Sequence, residues 1–227
     1  MHDTAMLIGQ KFFETYMAGA QGQSIVDIGA QDVNGSLRSV APPGNPYTGI
    51  DFAEGKGVDV ILTDPYKFPF ETGTFDVAVC SNCLEHSEFF WLTFMEILRI
   101  LKPSGLLFMT VPANASVHRY PVDCWRFYPD SGMALRNWAR RSGVNTALLE
   151  SFTGRQMEGL MNDFTAVYVK DQAHADQHPN RIQDNYGHYV WGYRLGAAKF
   201  ANTETINEDW AARRLLKQLG EALRPFT

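Results

Sequence analysis

The chain has 227 residues, 45% of them hydrophobic and 20% charged, with a net charge of −5. This balance points to one globular domain with a small appendage, and it excludes broad nucleic-acid or anionic-membrane binding, which needs a basic face. Three cysteines do not make a disulfide framework, no apolar run reaches the roughly 20 residues of a bilayer span, and the first residues lack a signal-peptide pattern, so a reducing cytoplasm is the expected setting.

Residues 4–19 are expected to form an amphipathic helix with Met6, Leu7, Phe13 and Met17 on one face, Thr4 as its cap and Gly19 as its stop. The stretch that organises the chain follows at 24–38. Ile25, Val26 and Ile28 make a short buried strand, Asp27 brings an acid to its end, and Gly29 allows a sharp turn. Gly35 and Ser36 then open a short helix that must stop before Pro42 and Pro43. In an open α/β sheet, a nucleotide-like cofactor sits at such a turn, outside the carboxyl ends of the strands. A pyrophosphate would ask for G-x-G-x-x-G. Here Gln31 holds the middle position, and Asp27 and Asp32 bring negative charge that suits a ligand with a free amino group.

A second strand over 46–51 ends in Asp51, 24 residues after Asp27, the spacing at which an α/β cofactor fold places a carboxylate on ribose hydroxyls. Phe52 is next and can cover an adenine face. A third strand over 57–64 again ends in an acid, Asp64, and 65–74 is too rich in Pro and Gly for a helix. Residues 75–81 form a fourth strand that runs into Asn82-Cys83-Leu84-Glu85-His86. Cys80 and Cys83 lack the second pair that a zinc site needs, and read as core or cofactor-lining thiols. A helix over 88–102 is closed by Lys102-Pro103-Ser104-Gly105, and 106–112 is the fifth strand.

The segment from Ala113 to Asp130 crowds His118, Arg119, Tyr120, Pro121, Asp123, Trp125, Arg126, Phe127 and Tyr128 into a connection that should arch over the carboxyl edge of the sheet. It can act in chemistry, or it can simply staple the next helix with Trp125 and Phe127 in the core and Arg126 paired with Asp123. Asp130-Ser131 caps a helix over 131–142 with Trp138 inward and Arg136, Arg140 and Arg141 outward. Residues 145–152 and 164–170 alternate as two last strands, antiparallel at the edge, and 154–162 is a loop. Residues 174–188 read as a loop carrying His174, His178 and His188, a weak metal signal, and 186–200 is ambiguous between states. A helix over 208–223 is amphipathic through Ala212, Leu215, Leu216, Leu219 and Leu223, and can close the mouth or pair with a second copy as a homodimer.

Four ordered segments resemble class I S-adenosylmethionine-dependent methyltransferases, and specifically the type-11 group. Asp27-Ile28-Gly29 with Gly35 is similar to the family's (D/E)-x-G-x-G-x-G, with Gln31 in place of the second glycine and a turn about two residues longer. Phe68-Pro69-Phe70-Glu71 running into Phe75-Asp76 resembles its L-P-F connector. Ser81 to His86 resembles its (S/N)-x-x-x-E-H turn, and ILRILKPSGLLFMTVP its R-V-L-K-P-G-G strand entry. The stretch from His118 to Phe127 resembles a subset of bacterial methyltransferases associated with glycan and glycoside clusters.

The resemblance implies a Rossmann-like α/β fold. Its sheet is seven-stranded and mostly parallel with an antiparallel last strand, helices lie on both faces, and a C-terminal helical extension divides the chain into 1–172 and 173–227. It implies S-adenosyl-L-methionine as cofactor, with Asp27 and Gly29 on the amino acid portion, Asp51 on the ribose and Asp64 on the adenine; Gln31, Asn34, Phe52, Ser81 and Asn82 complete that set. The expected activity is O-methylation of a sugar or other small hydroxylated metabolite. His118 or His86 is the base, Asp123 orients His118, and Tyr120, Trp125 and Arg126 bind the acceptor. No pair of acids is spaced as a magnesium site, so the reaction is expected to be metal-independent. N-methylation of a small metabolite, a non-catalytic cofactor-binding partner protein and a nicotinamide oxidoreductase are the alternatives, the last disfavoured by the acid-rich turn.

Overall fold

The computed structural model describes residues 3–157, 161–204, 215, 218 and 219. Helix α1 (Asp3–Tyr16) turns Ala5, Ile8, Phe12 and Phe13 inward, and Gly19 takes the left-handed conformation (φ +72°) that follows its end. Thr4 is buried inside this helix, and the Asp3 carboxylate accepts its N–H, so Thr4 is not the cap.

Eight strands form one sheet: β1 (Ile25–Ile28), β2 (Tyr47–Asp51), β3 (Val60–Ile61), β4 (Phe75–Ser81), β5 (Leu101–Pro112), β6 (Ala147–Gly154), β7 (Asp163–Val169) and β8 (Tyr189–Arg194). Their order is β3-β2-β1-β4-β5-β7-β6-β8. The first five pair in parallel, β7 runs antiparallel to both β5 and β6, and β8 runs antiparallel to β6. Because side chains alternate across a strand, β1 and β4 feed two cores. Ile25, Val77 and Val79 meet Ile8, Phe12 and Phe13 of α1 on one face. Val26, Ile28, Ala78 and Cys80 meet the other face's helices, α2 (Phe90–Ile100) and α3 (Ser131–Arg141), through Phe94, Ile97, Leu98 and Leu135. The chain leaves β1 toward one edge and β4 toward the other, which opens a crevice at their carboxyl ends.

The differences from the sequence reading have local causes. The eighth strand, β8, arises from the ambiguous 186–200 stretch and covers β6, so the two predicted last strands are interior. The third strand contracts to two residues: it is an edge with one neighbour, and the preceding Asp59 carboxylate turns back to Arg38 and to the N–H of Gly49. The helix expected to reach 102 ends at Ile100, and β5 starts at Leu101, since Pro103 disfavours helical backbone at Lys102. Trp138, expected inward, is 40% exposed, while Gly132, Leu135 and Ala139 form the buried stripe of α3. Asp130 makes no side-chain cap; instead Ser131 Oγ accepts the N–H of Tyr128. The helix predicted over 208–223 lies largely outside the described residues. Among the described residues, no helix is long and apolar enough to cross a membrane.

Candidate active site

The turn after β1 is shaped by backbone. Gly29 sits at φ +78°, and its N–H and that of Ala30 both donate to the Ile50 carbonyl (3.0 and 3.1 Å). A Cβ on Gly29 would lie 2.7 Å from Cβ of Cys83, so glycine is required both by the conformation and by the close approach of the β4 loop. Beyond the turn, Asp32 accepts the N–H of Gly35 (2.8 Å) and pairs with Lys56 (2.6 Å), while Gln31 Nε2 donates to the Glu54 carbonyl (3.1 Å). The loops after β1 and β2 are thereby tied together. The short helix expected after Gly35 is a single 3₁₀ turn, Leu37–Ser39, capped by Ser36. Among the described residues no α-helix N-terminus stands behind this turn, and so the usual seat of a pyrophosphate is missing there.

Asp51, at the end of β2, is 8% exposed. Its Oδ2 accepts the N–H of Gln31 (3.3 Å) and its Oδ1 that of Ala53 (3.2 Å). One donor per oxygen fixes the carboxylate and leaves lone pairs for ligand hydroxyls. Asn34, Phe52 and Asp64 are exposed around the same edge, and Asp64 Oδ1 accepts the N–H of Tyr66 (2.8 Å). Asp27 lies beneath the turn on the α1 side of β1, where Tyr47 Oη donates to it (2.7 Å). Burial pushes its carboxyl up to about 7, against the opposing pull of the Tyr47 hydrogen bond. Tyr47, a partner the sequence reading did not name, is in turn covered by the Arg38 guanidinium, 4.9 Å from its ring centre.

At the end of β4, Ser81 Oγ lies 2.9 Å from Thr110 Oγ1 of the neighbouring β5, and the N–H of Asn82 donates to the Thr110 carbonyl (2.9 Å). Asn82 then adopts φ +52°, a left-handed conformation that Asn tolerates better than most side chains. This bend delivers Cys83 to Gly29 and leads into the 3₁₀ turn Leu84–His86. Cys80 is buried beneath, and both the Cys83 thiol beside it and burial raise its pKa, as befits an inert core thiol.

The loop after β5 folds back onto this turn. The N–H groups of Cys124 and Trp125 both donate to the Glu85 carbonyl (2.8 and 3.2 Å), and His86 Nδ1 lies 2.5 Å from the Val122 carbonyl. His118 is fixed from the same loop: its N–H donates to Asp123 Oδ2 (2.7 Å), and its Nδ1 is 3.1 Å from the Ser116 carbonyl and 3.6 Å from Asp123 Oδ2. Arg126 clamps Asp123 with two bonds (2.5 and 2.8 Å) and also donates to the Trp125 and Ser116 carbonyls. That guanidinium holds the Asp123 carboxyl far below the usual range. The Asp123–Arg126 pair staples the loop, as the second reading expects, and Phe127 is in the core, but Trp125, expected there with it, is partly exposed.

The outcome is a cluster that chain spacing hides. The rings of His86 and His118 meet edge to face, 5.1 Å between centres. Glu85 is fully buried, and among the described residues neither of its carboxylate oxygens has a hydrogen-bond partner; His86 Nε2 lies 3.6 Å from Oε1. Burial pushes the Glu85 carboxyl up to about 8, and lowers the basicity of the half-buried His86. One donor atom from each of Glu85, His86 and His118 lies within 4.8 Å of the other two. Among the described residues no other set of this kind exists, and His174, His178 and His188 do not form one. The signal was the adjacency of β4 and β5, whose carboxyl ends carry the two histidines 32 residues apart.

Next to the cluster, Trp125 is 37% exposed, donates from Nε1 to the Ser87 carbonyl (3.0 Å) and packs on Phe90 and Trp91. An open cavity of about 390 Å³ is lined by Phe90, Trp91, Trp125, Phe127, Leu135 and Trp138. Phe127 closes its floor in the core, and Tyr120 stands exposed on the loop above the cluster.

Residues 30–109 match a family model described as a methyltransferase domain. Over 77 residues the chain is 35% identical to the probable methyltransferase PMT21 of Arabidopsis thaliana; the stretch covers 33% of this chain and only 13% of that one's length. Among solved structures, 1,6-didemethyltoxoflavin-N1-methyltransferase of Burkholderia thailandensis, with 1,6-didemethyltoxoflavin and S-adenosylhomocysteine bound, superposes with a TM-score of 0.57 at 14% identity, over 74% of this chain and 79% of that one. The 4+2 cyclase SpnF gives 0.54 at 16% identity, over 73% and 81%. At these identities the likeness is one of fold. The chain has a Rossmann-like α/β architecture of the kind methyltransferases use, and the family match ends just before the loop that carries His118.

Proposed function

We propose that this chain is a class I S-adenosylmethionine-dependent methyltransferase that methylates a hydroxyl of a sugar or other small hydroxylated metabolite. The observation that carries the reading is the pairing of the Gly29 turn with a half-satisfied Asp51 carboxylate, in a crevice where a 3₁₀ turn and not an α-helix follows β1, at the start of a segment that matches a methyltransferase domain. The same fold serves the 4+2 cyclase SpnF, so methyl transfer is argued from these residues and not from the sheet.

S-adenosylmethionine supplies the transferable methyl on its sulfonium. Asp51 accepts from the vicinal ribose hydroxyls, which its two fixed oxygens are placed to do. Gly29, Ala30 and Gln31 let the ligand approach the backbone, Phe52 and Asp64 border the adenine, and Ser81 and Asn82 close the β4 side. Asp27, protonated or charged near neutrality, supports the turn from below through Tyr47. The loop over 113–130 shields the reacting groups from water and holds the acceptor against Tyr120 and Trp125. His118, whose Nδ1 faces the Ser116 carbonyl and Asp123, keeps a lone pair on its other ring nitrogen to take the acceptor's proton, with His86 beside it. Arg126 acts through Asp123 as a positioning residue. In this reading residues 1–172 carry the catalytic groups, β8 completes their sheet beside β6, and the residues after β8 serve as a lid or a contact with a second copy.

The test is to incubate the purified protein with cofactor and a panel of small hydroxylated metabolites and amines, and to identify the products by mass. A methyl ether formed on a polyol or sugar supports the reading. Methylation of amines alone replaces the O-acceptor, and binding of cofactor with no product on any panel member favours the non-catalytic partner alternative.

A further inference from the structure

We infer that Glu85, His86 and His118 form a site for a divalent transition-metal ion of the zinc class. The first argument is burial without partners. A carboxylate in the interior is normally hydrogen-bonded or paired, because leaving its charge unsolvated is costly. Glu85 is fully buried, neither carboxylate oxygen has a hydrogen-bond partner among the described residues, and one of them lies within 4.8 Å of nitrogens of two imidazoles. A cation is the partner that this arrangement lacks.

The second argument is the donor set. Two imidazoles and one carboxylate are the ligands of open, three-residue zinc centres and of related first-row metal sites. Metal ligands at about 2.0–2.2 Å from an ion stand some 3–4 Å from one another. The Glu85 Oε1 to His86 Nε2 distance of 3.6 Å falls in that range, and the three donors lie within 4.8 Å, so closure onto an ion needs only a small inward movement.

The third argument is what stands behind the ligands. A metal-bound histidine usually presents its other ring nitrogen to a carbonyl or carboxylate, which fixes the ring and its tautomer. His86 Nδ1 meets the Val122 carbonyl at 2.5 Å, and His118 Nδ1 meets the Ser116 carbonyl at 3.1 Å with Asp123 behind it. Both rings are therefore held as a metal site would hold them, from a loop that is itself clamped by Arg126. His118 is about one-third exposed, which gives the ion a path in.

The site departs from the metal-independent expectation of the sequence, where the ligands fall 33 residues apart. It goes beyond the proposed methyl transfer and does not depend on it. A bound cation takes the lone pair that His118 needs as a base, so that mechanism belongs to the metal-free protein.

The experiment is to strip the full chain with a chelator, desalt it, and titrate it with Co²⁺ by visible absorption and with Zn²⁺ by calorimetry. Wild type should take up one equivalent of each, with ligand-field bands of a low-coordinate Co²⁺ centre. Glu85→Gln and His118→Ala should each weaken binding at least about tenfold, while His174→Ala leaves it unchanged. His118 lies on the surface loop, so His118→Ala tests the site even if the Glu85 variant fails to fold. Absence of a one-equivalent site in wild type, or equal affinity in the folded His118→Ala protein, overturns the inference. S-adenosylhomocysteine affinity, measured on the same samples, reports on the cofactor crevice separately, so loss of one reading does not imitate loss of the other.

Discussion

Two buried glutamates, one in β6 and one in the turn after β4, face opposite circumstances. Glu150, on β6, accepts from Tyr16 Oη (2.6 Å), from the N–H groups of Ile182 and Gln183, and from Gln183 Nε2. It ties α1 and the segment leading to β8 onto the sheet. Glu85, at the carboxyl edge, is equally inaccessible, and its carboxylate has no hydrogen-bond partner among the described residues. Asp27 stands between them with a single donor, Tyr47. Burial raises the pKa of all three, but only where donors surround the carboxylate does the buried group hold the fold together. The contrast marks the β6 region as scaffold and the β4–β5 edge as a site that waits for something.

The largest effect should appear at the unsatisfied end. His118→Ala should lower turnover by about 10²–10⁴-fold in metal-free protein, the range for loss of a general base, with S-adenosylhomocysteine affinity unchanged. If activity persists there and collapses in His86→Ala, the base is the other histidine; if both variants stay active, the oxygen-acceptor mechanism is wrong.

The scaffold end gives the next largest effect, and on stability instead of turnover. Glu150→Ala leaves Tyr16, Ile182 and Gln183 donors buried without an acceptor, and should cost about 3–5 kcal/mol in urea unfolding. Glu85→Leu should do the reverse, raising stability by about 1–2 kcal/mol, since an unpartnered carboxylate is replaced by apolar volume. Equal losses in the two variants would erase the distinction between the regions.

Asp27 sharpens the comparison through pH. Its folded value of about 7 lies above the ordinary aspartate value, so the native state binds the proton more tightly than the unfolded chain. The stability this contributes is complete below about pH 4 and is lost as pH rises through about 7. Asp27→Asn should flatten the stability profile across that window, as read from unfolding midpoints at successive pH values. A smaller effect is expected at the turn above it: Gly29→Ala should destabilise by about 1–3 kcal/mol, because φ is +78° and the new Cβ meets Cys83.

Much of this was legible from sequence because it is local. The runs around Ile25, Val77 and Leu107 read as buried strands, and Gly29 and Asp51 placed the turns after β1 and β2, whereas Lys102-Pro103-Ser104-Gly105, expected to separate helix from strand, lies inside β5. What could not be read depends on which strands become neighbours. β8 escaped because the aromatic-rich 186–200 stretch does not tell strand from loop by composition, and only its pairing with β6 makes it a strand. Trp138 was placed inward on type alone, whereas Gly132, Leu135 and Ala139 set the buried face of α3. Glu85 drew notice only as half of a pair with His86; its approach to His118 follows from β4 lying beside β5 and from a loop folding back through Cys124 and Trp125.

The central claim is that the crevice beside Gly29 and Asp51 holds S-adenosylmethionine. Calorimetry with S-adenosylhomocysteine tests it most directly, with NAD as the control ligand. One-to-one binding of S-adenosylhomocysteine, weakened at least about tenfold in Asp51→Ala, and no binding of NAD is the predicted result. Binding of NAD in preference, no binding of S-adenosylhomocysteine, or an unchanged affinity in Asp51→Ala would contradict it.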